Sequence, residues 1–101
     1  MDNKPFPFKD KPDTICFSCK HVVHGNKPIL LVSHEADDES WQFMCGSEGH
    51  EEKDAILIKL DTIYNYDNSI GRLFDMPLGL FGVRANLQSE WKFYKSAKQQ
   101  N

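Results

Sequence analysis

Hydrophobic positions along the chain come in short runs set apart by polar or proline-bearing segments. Residues 1–12 place Pro5, Pro7 and Pro12 among Lys, Phe and Asp. Proline turns the residue before it away from helix, so an extended arm is expected, with Phe6 and Phe8 available to dock it. Thr14–Phe17 is β-branched and aromatic and predicts a short strand. Pro28 opens the apolar run Ile29–His34, and the acidic turn Ala36–Glu39 separates it from Trp41–Cys45. In that second run Trp41, Phe43 and Cys45 alternate onto one face, so the two runs predict a hairpin closed by Gly46.

Ala55–Leu60 is a third apolar run, short enough for a buried strand. Asp61 and Asp67 read as helix N-caps, and Ile70, Leu73 and Phe74 follow at the i, i+3, i+4 spacing of a short amphipathic helix. Pro77 and Gly79 end it in a turn. Leu80–Arg84 and Trp91–Tyr94 predict two closing strands around the polar loop Asn86–Glu90. The expected fold is α+β: a small antiparallel sheet of about five strands with one or two short helices. One globular domain over residues 13–95 is expected, between the arm and a polar tail at 96–101.

Composition narrows the class of function. With 101 residues, 40% hydrophobic and 27% charged, the chain has material for one small core. A net charge of −3 argues against a general nucleic-acid binder. No apolar run is long enough to span a membrane, and the first residues lack the apolar core of a secretory signal. A cytoplasmic location is therefore expected, with neither membrane nor nucleic acid as partner. The charge is uneven: residues 28–54 hold eight acids and a single lysine, whereas residues 1–27 hold five lysines and three acids. The acids cluster at Glu35–Glu39 and Glu48–Asp54. Two solvated turns would explain them; so would an acidic face over residues 35–54 that receives a basic protein partner.

The chemistry-bearing residues are Cys16, Cys19 and Cys45, with His21, His24 and His50 nearby in sequence. Cys16-x2-Cys19 has the spacing of a metal knuckle, and Cys45-x4-His50 falls in the range of a second ligand pair. The 25 residues between Cys19 and Cys45 exceed the span of common zinc fingers, but they accommodate the predicted hairpin, which returns Cys45 towards Cys19. Zinc suits such a set of thiolates and imidazoles because it is borderline-soft and accepts a tetrahedral cage readily. The competing reading is that these cysteines are core residues and His50, among Glu48, Glu51 and Glu52, is a surface histidine. Thioredoxin-like redox chemistry is disfavoured, since Cys19 is followed by a turn at Gly25-Asn26 rather than by a βαβ unit.

Ordered along the chain, Cys19-Lys20-His21-Val22, Pro28 to His34, Trp41-Gln42-Phe43-Met44-Cys45-Gly46 with His50, Pro77-Leu78-Gly79 and Trp91 form one series. The series resembles a family of small bacterial domains of unknown function, distantly similar to toxin-immunity domains, which neutralise a toxin by binding it. The resemblance covers residues 15–94 and implies Cys19, His21, Cys45 and His50 as the matching positions. Cys16 is additional to that pattern, so Cys16 and His21 compete for the fourth ligand position. The expected function is non-enzymatic protein binding, with a zinc site pinning the hairpin. The alternative is a small metal-dependent or thiol enzyme using the same cluster, with Cys45 as nucleophile and His21 or His50 as base. Oligomeric state is open at this level.

Overall fold

A computed structural model describes residues 6–46 and 55–95. Its elements are β1 (Ile15–Cys19), α1 (Lys20–Val23), β2 (Leu31–His34), β3 (Trp41–Met44), β4 (Ala55–Lys59), α2 (Leu60–Tyr66), a 3-10 helix (Asn68–Leu73), β5 (Leu80–Val83) and β6 (Lys92–Lys95). The class is α+β as expected, but the sheet has six strands rather than about five, in the order β4-β1-β3-β2-β5-β6. It is also mixed rather than antiparallel. The β2–β3 hairpin forms with Val32 opposite Phe43 and His34 opposite Trp41. β1, however, lies parallel to β3, with Phe17 beside Gln42. Local hydrophobic alternation carries no information on such non-sequential pairing, which is why the parallel step escaped the sequence.

One face of the sheet carries the core. Cys16, Val32, Trp41 and Phe43 project from it and meet Leu60 and Ile63 of α2 and Ile70 and Leu73 of the 3-10 helix. The N-terminal segment closes this layer, since Phe8 is buried with its ring 5.1 Å from Trp41, edge to face. Asp10 accepts a hydrogen bond from the Trp41 indole at 3.2 Å. Asp67 caps the 3-10 helix as expected, its carboxylate accepting from the Ser69 N–H at 2.9 Å. Asp61 instead sits in the first turn of α2, whose N-cap is Lys59; there its charge still complements the helix dipole. Gly46 and Gly79 take positive φ (78° and 87°), the first just beyond β3 and the second in the turn before β5. At Gly82 a Cβ would come within 3.1 Å of the Phe93 ring, so the missing side chain lets β6 lay its aromatic against β5.

Candidate metal centre

β1 and β3 run side by side in the same direction, so their C-terminal ends meet at one edge of the sheet. Ser18 reinforces this pairing, its buried hydroxyl donating to the Phe43 carbonyl at 2.7 Å. Cys19 ends β1 in extended conformation (φ −131°, ψ 161°) and is the N-cap of α1; His21 lies in that single turn, and Cys45 follows the last residue of β3. The three side chains converge: one ligand atom each from Cys19, His21 and Cys45 lie within 4.8 Å of one another. In a tetrahedral zinc site, ligand atoms stand about 3.3–3.8 Å apart, given zinc bonds of about 2.0–2.3 Å. The observed cluster closes onto such an ion by side-chain shifts on the order of an ångström.

Cys19 and Cys45 are buried and His21 is exposed, so the group has a dry sulfur side and a wet imidazole side. Burial pushes the Cys19 thiol above its ordinary value. Against this, the backbone N–H groups of Cys45 and Val22 favour the thiolate, although the Cys19 side chain closes no cap hydrogen bond on α1. The Cys45 side chain raises the Cys19 value again, through a hydrogen bond and through charge. Two thiols so close resist double ionisation, and a cation between them relieves that resistance. None of the three cysteines is in a disulfide.

The other sequence candidates stand apart or beyond view. Cys16 is fully buried on the core face, where its Sγ donates to the Ile58 carbonyl at 3.3 Å. Burial, and then the charge of Asp10, push its pKa up to about 12. It is not one of the three converging residues. His24 is the exposed C-cap of α1, also outside the group. His50 lies outside the described residues, as does the second acidic cluster, Glu48–Asp54. In the first cluster Asp37, Asp38 and Glu39 are exposed, and Asp38 accepts from the Ser40 N–H at 3.1 Å.

Sequence reasoning missed a second constellation, centred on Arg84. Its side chain is 2% exposed and lies 3.0 Å from the Asp67 carboxylate. It also donates to the Ile29 carbonyl through Nε (3.0 Å) and Nη2 (2.9 Å), and to the Ser69 hydroxyl through Nη1 (3.0 Å). Trp91 stacks over the guanidinium at 4.3 Å. The Asp67 cap was the only visible signal, because the hydrogen-bond partners of Arg84 are brought in from positions 15 to 55 residues away. His34, unassigned by sequence, stacks on Trp41 at 3.8 Å, and its Nδ1–H donates to the Met76 carbonyl at 2.8 Å.

Compared with protein-family models, curated proteins and solved structures, the chain matches none. Among the described residues no helix is long and apolar enough to cross a membrane.

Proposed function

We propose that this domain is a non-enzymatic protein-binding module of the toxin-immunity kind its motifs resemble, stabilised by a structural zinc ion on Cys19, His21 and Cys45. The observation that carries the metal site is the convergence of two sulfurs and one imidazole nitrogen within 4.8 Å at the joined ends of two parallel strands. A donor set of two thiolates and an imidazole selects zinc over magnesium or calcium, which take oxygen ligands. A closed site needs a fourth protein ligand, for which His50, five residues beyond Cys45 in sequence, is the candidate. Cys16 is the poorer choice because its thiol already serves the Ile58 carbonyl. A closed site leaves no coordinated water, which makes the metal a cross-link and not a catalyst. Burial of Cys45, the nucleophile of the enzyme alternative, and of Cys19, whose thiol is held above its ordinary value, opposes use as a nucleophile, which needs a lowered pKa and access. Reduced thiols suit a cytoplasmic location. The exposed acids Asp37, Asp38 and Glu39 support a basic protein partner, steered by charge.

Metal analysis of protein prepared under reducing conditions with zinc supplied tests this reading. About one equivalent is expected, lost on acidification as protons displace the metal from sulfur. Cys45→Ser, His21→Ala and His50→Ala should each lower the zinc content, whereas Cys16→Ser should leave it unchanged. Less than about a tenth of an equivalent in the unaltered protein would overturn the site.

A further inference from the structure

The sheet has a second face, turned away from all of the core described above. Strand register places Leu57, Phe17, Gln42, Ser33, Phe81 and Tyr94 in a single row across it, one residue from each strand in spatial order. Leu57 is 64% exposed and Tyr94 50%, and Ile15, two residues from Phe17 on the same face, is 52% exposed. Phe17 and Phe81 are only partly buried, and neither packs against the core. Large apolar side chains on an uncovered sheet face mark an interaction surface.

The chain's remaining residues do not offer a cover for it. Positions 1–5, 47–54 and 96–101, outside the described residues, contain only Met1, Pro5 and Ala97 as non-polar side chains apart from glycine. That is too little apolar surface to match the row.

We infer that this face is the interface of a homodimer, built by a second copy stacked sheet on sheet about a two-fold axis parallel to the strands. The row itself is self-complementary under that operation. Because the axis runs between β3 and β2, at the centre of the strand order, the two halves exchange. Leu57 then meets Tyr94 of the second copy, Phe17 meets Phe81, and Gln42 meets Ser33: aliphatic on aromatic, ring on ring, amide on hydroxyl. The polar pair lies at the axis, where the Ser33 hydroxyl, which donates to the Glu35 carboxylate at 2.8 Å, still accepts from the Gln42 amide of the second copy. Charges agree as well. Lys92 shares a row with Ala55 at the opposite edge, so it comes over Ala55 of the second copy and not over another lysine. Face-to-face sheets pack in this aligned manner, about 10 Å apart.

Area sets the strength. Six strands about 4.8 Å apart and four to five residues long give a face of about 400 Å² per copy, or about 800 Å² in the pair before side-chain relief. That is the size of a weak, transient interface and falls well short of an obligate one, so a reversible dimer is expected. Nothing in this inference depends on the metal, and it stands or falls apart from the zinc reading.

Sedimentation equilibrium of the full chain tests it, with concentration varied from about 1 μM to about 1 mM. The expected mass rises from the 11.7 kDa of one chain towards twice that value. Leu57→Glu places a charge against Tyr94 twice per dimer and should weaken association at least about tenfold; Tyr94→Glu should do the same from the other half of the row. Both positions are exposed, so far-UV circular dichroism should stay unchanged. A mass that stays at one chain throughout would overturn the proposal, as would a dimer indifferent to both substitutions. Leu57→Cys combined with Tyr94→Cys should be joined between chains by a short bismaleimide more readily than either alone, because sheets about 10 Å apart lie beyond disulfide reach. Equal cross-linking by the single variants would reject this axis.

Discussion

Two places in this molecule tie distant segments together, and they differ in how complete they are. Around Arg84, every tie is made by protein atoms: a carboxylate, a hydroxyl, a main-chain carbonyl taken twice, and an indole face. Around Cys19, His21 and Cys45 the groups converge but repel one another's ionisation, and burial holds the Cys19 thiol towards its neutral form. A buried charge is tolerated once its hydrogen bonds and counter-charge are supplied, as at Arg84. A pair of buried thiols is inert until something compensates their charge, which is the opening for a metal. The first knot is therefore structural on its own atoms. The second brings two thiols and an imidazole within metal-ligating distance of one another.

The largest expected effect tests the self-sufficient side of this contrast. Arg84→Ala should destabilise by about 3–5 kcal/mol, since it strands the Asp67 carboxylate and the Ile29 carbonyl together. Urea unfolding measures it, and the loss should be the same with or without zinc. A loss below about 1 kcal/mol would mean that solvent replaces the guanidinium and that the knot is not self-sufficient.

A smaller effect separates the cysteine inside the core from the pair at the sheet edge. Burial raises Cys16 from its ordinary value of 9.0 to about 12. The folded state thus favours the neutral thiol: its contribution to stability is complete below pH 9 and is lost as pH rises through about 12. At pH 7.5 native protein should alkylate at Cys16 at least about a thousandfold more slowly than unfolded protein, as peptide mapping after timed iodoacetamide treatment would show. Adding zinc should protect Cys19 and Cys45 more than Cys16, which should slow only as far as zinc stabilises the fold as a whole. Protection of Cys16 as strong as that of Cys19 and Cys45 would place it among the ligands and erase the distinction.

The smallest effect on stability belongs to neither knot. Replacing Asp37, Asp38 and Glu39 with Asn, Asn and Gln should change the unfolding free energy by less than about 0.5 kcal/mol, because exposed charges contribute little to folding. Association with a basic partner should nevertheless slow, and lose part of its salt dependence, in stopped-flow or surface-binding measurements. Unaltered binding at low salt would confine the acidic turn to solvation.

Much of this architecture is legible in the sequence because it is local. Trp41, Phe43 and Cys45 alternate at the strand period, and all three are buried. Asp67 caps a short helix because a carboxylate two residues before an unpaired N–H is good chemistry in any context. The turn at Pro77–Gly79 follows from backbone restriction alone. Asp61 shows the limit of such reasoning: its type suits an N-cap, but β4 runs straight into α2, and the helix begins two residues earlier than that cap would place it.

What tertiary structure decided is what depends on strands far apart in sequence. Residue types and spacing marked Cys19, His21 and Cys45 as ligand-bearing, since only side-chain chemistry is needed for that. Their convergence results from the parallel step between β1 and β3, a pairing with no local signature. The same step, together with β4 on the far side of β1, turned Cys16 onto the core face and gave its thiol the Ile58 carbonyl. Arg84 reads as an ordinary strand-end charge until the chain delivers Ile29, Asp67 and Trp91 around it. Periodicity acts between neighbours along the chain, whereas a buried ion pair and a convergence of thiols and imidazole are properties of segments that only the completed sheet brings together.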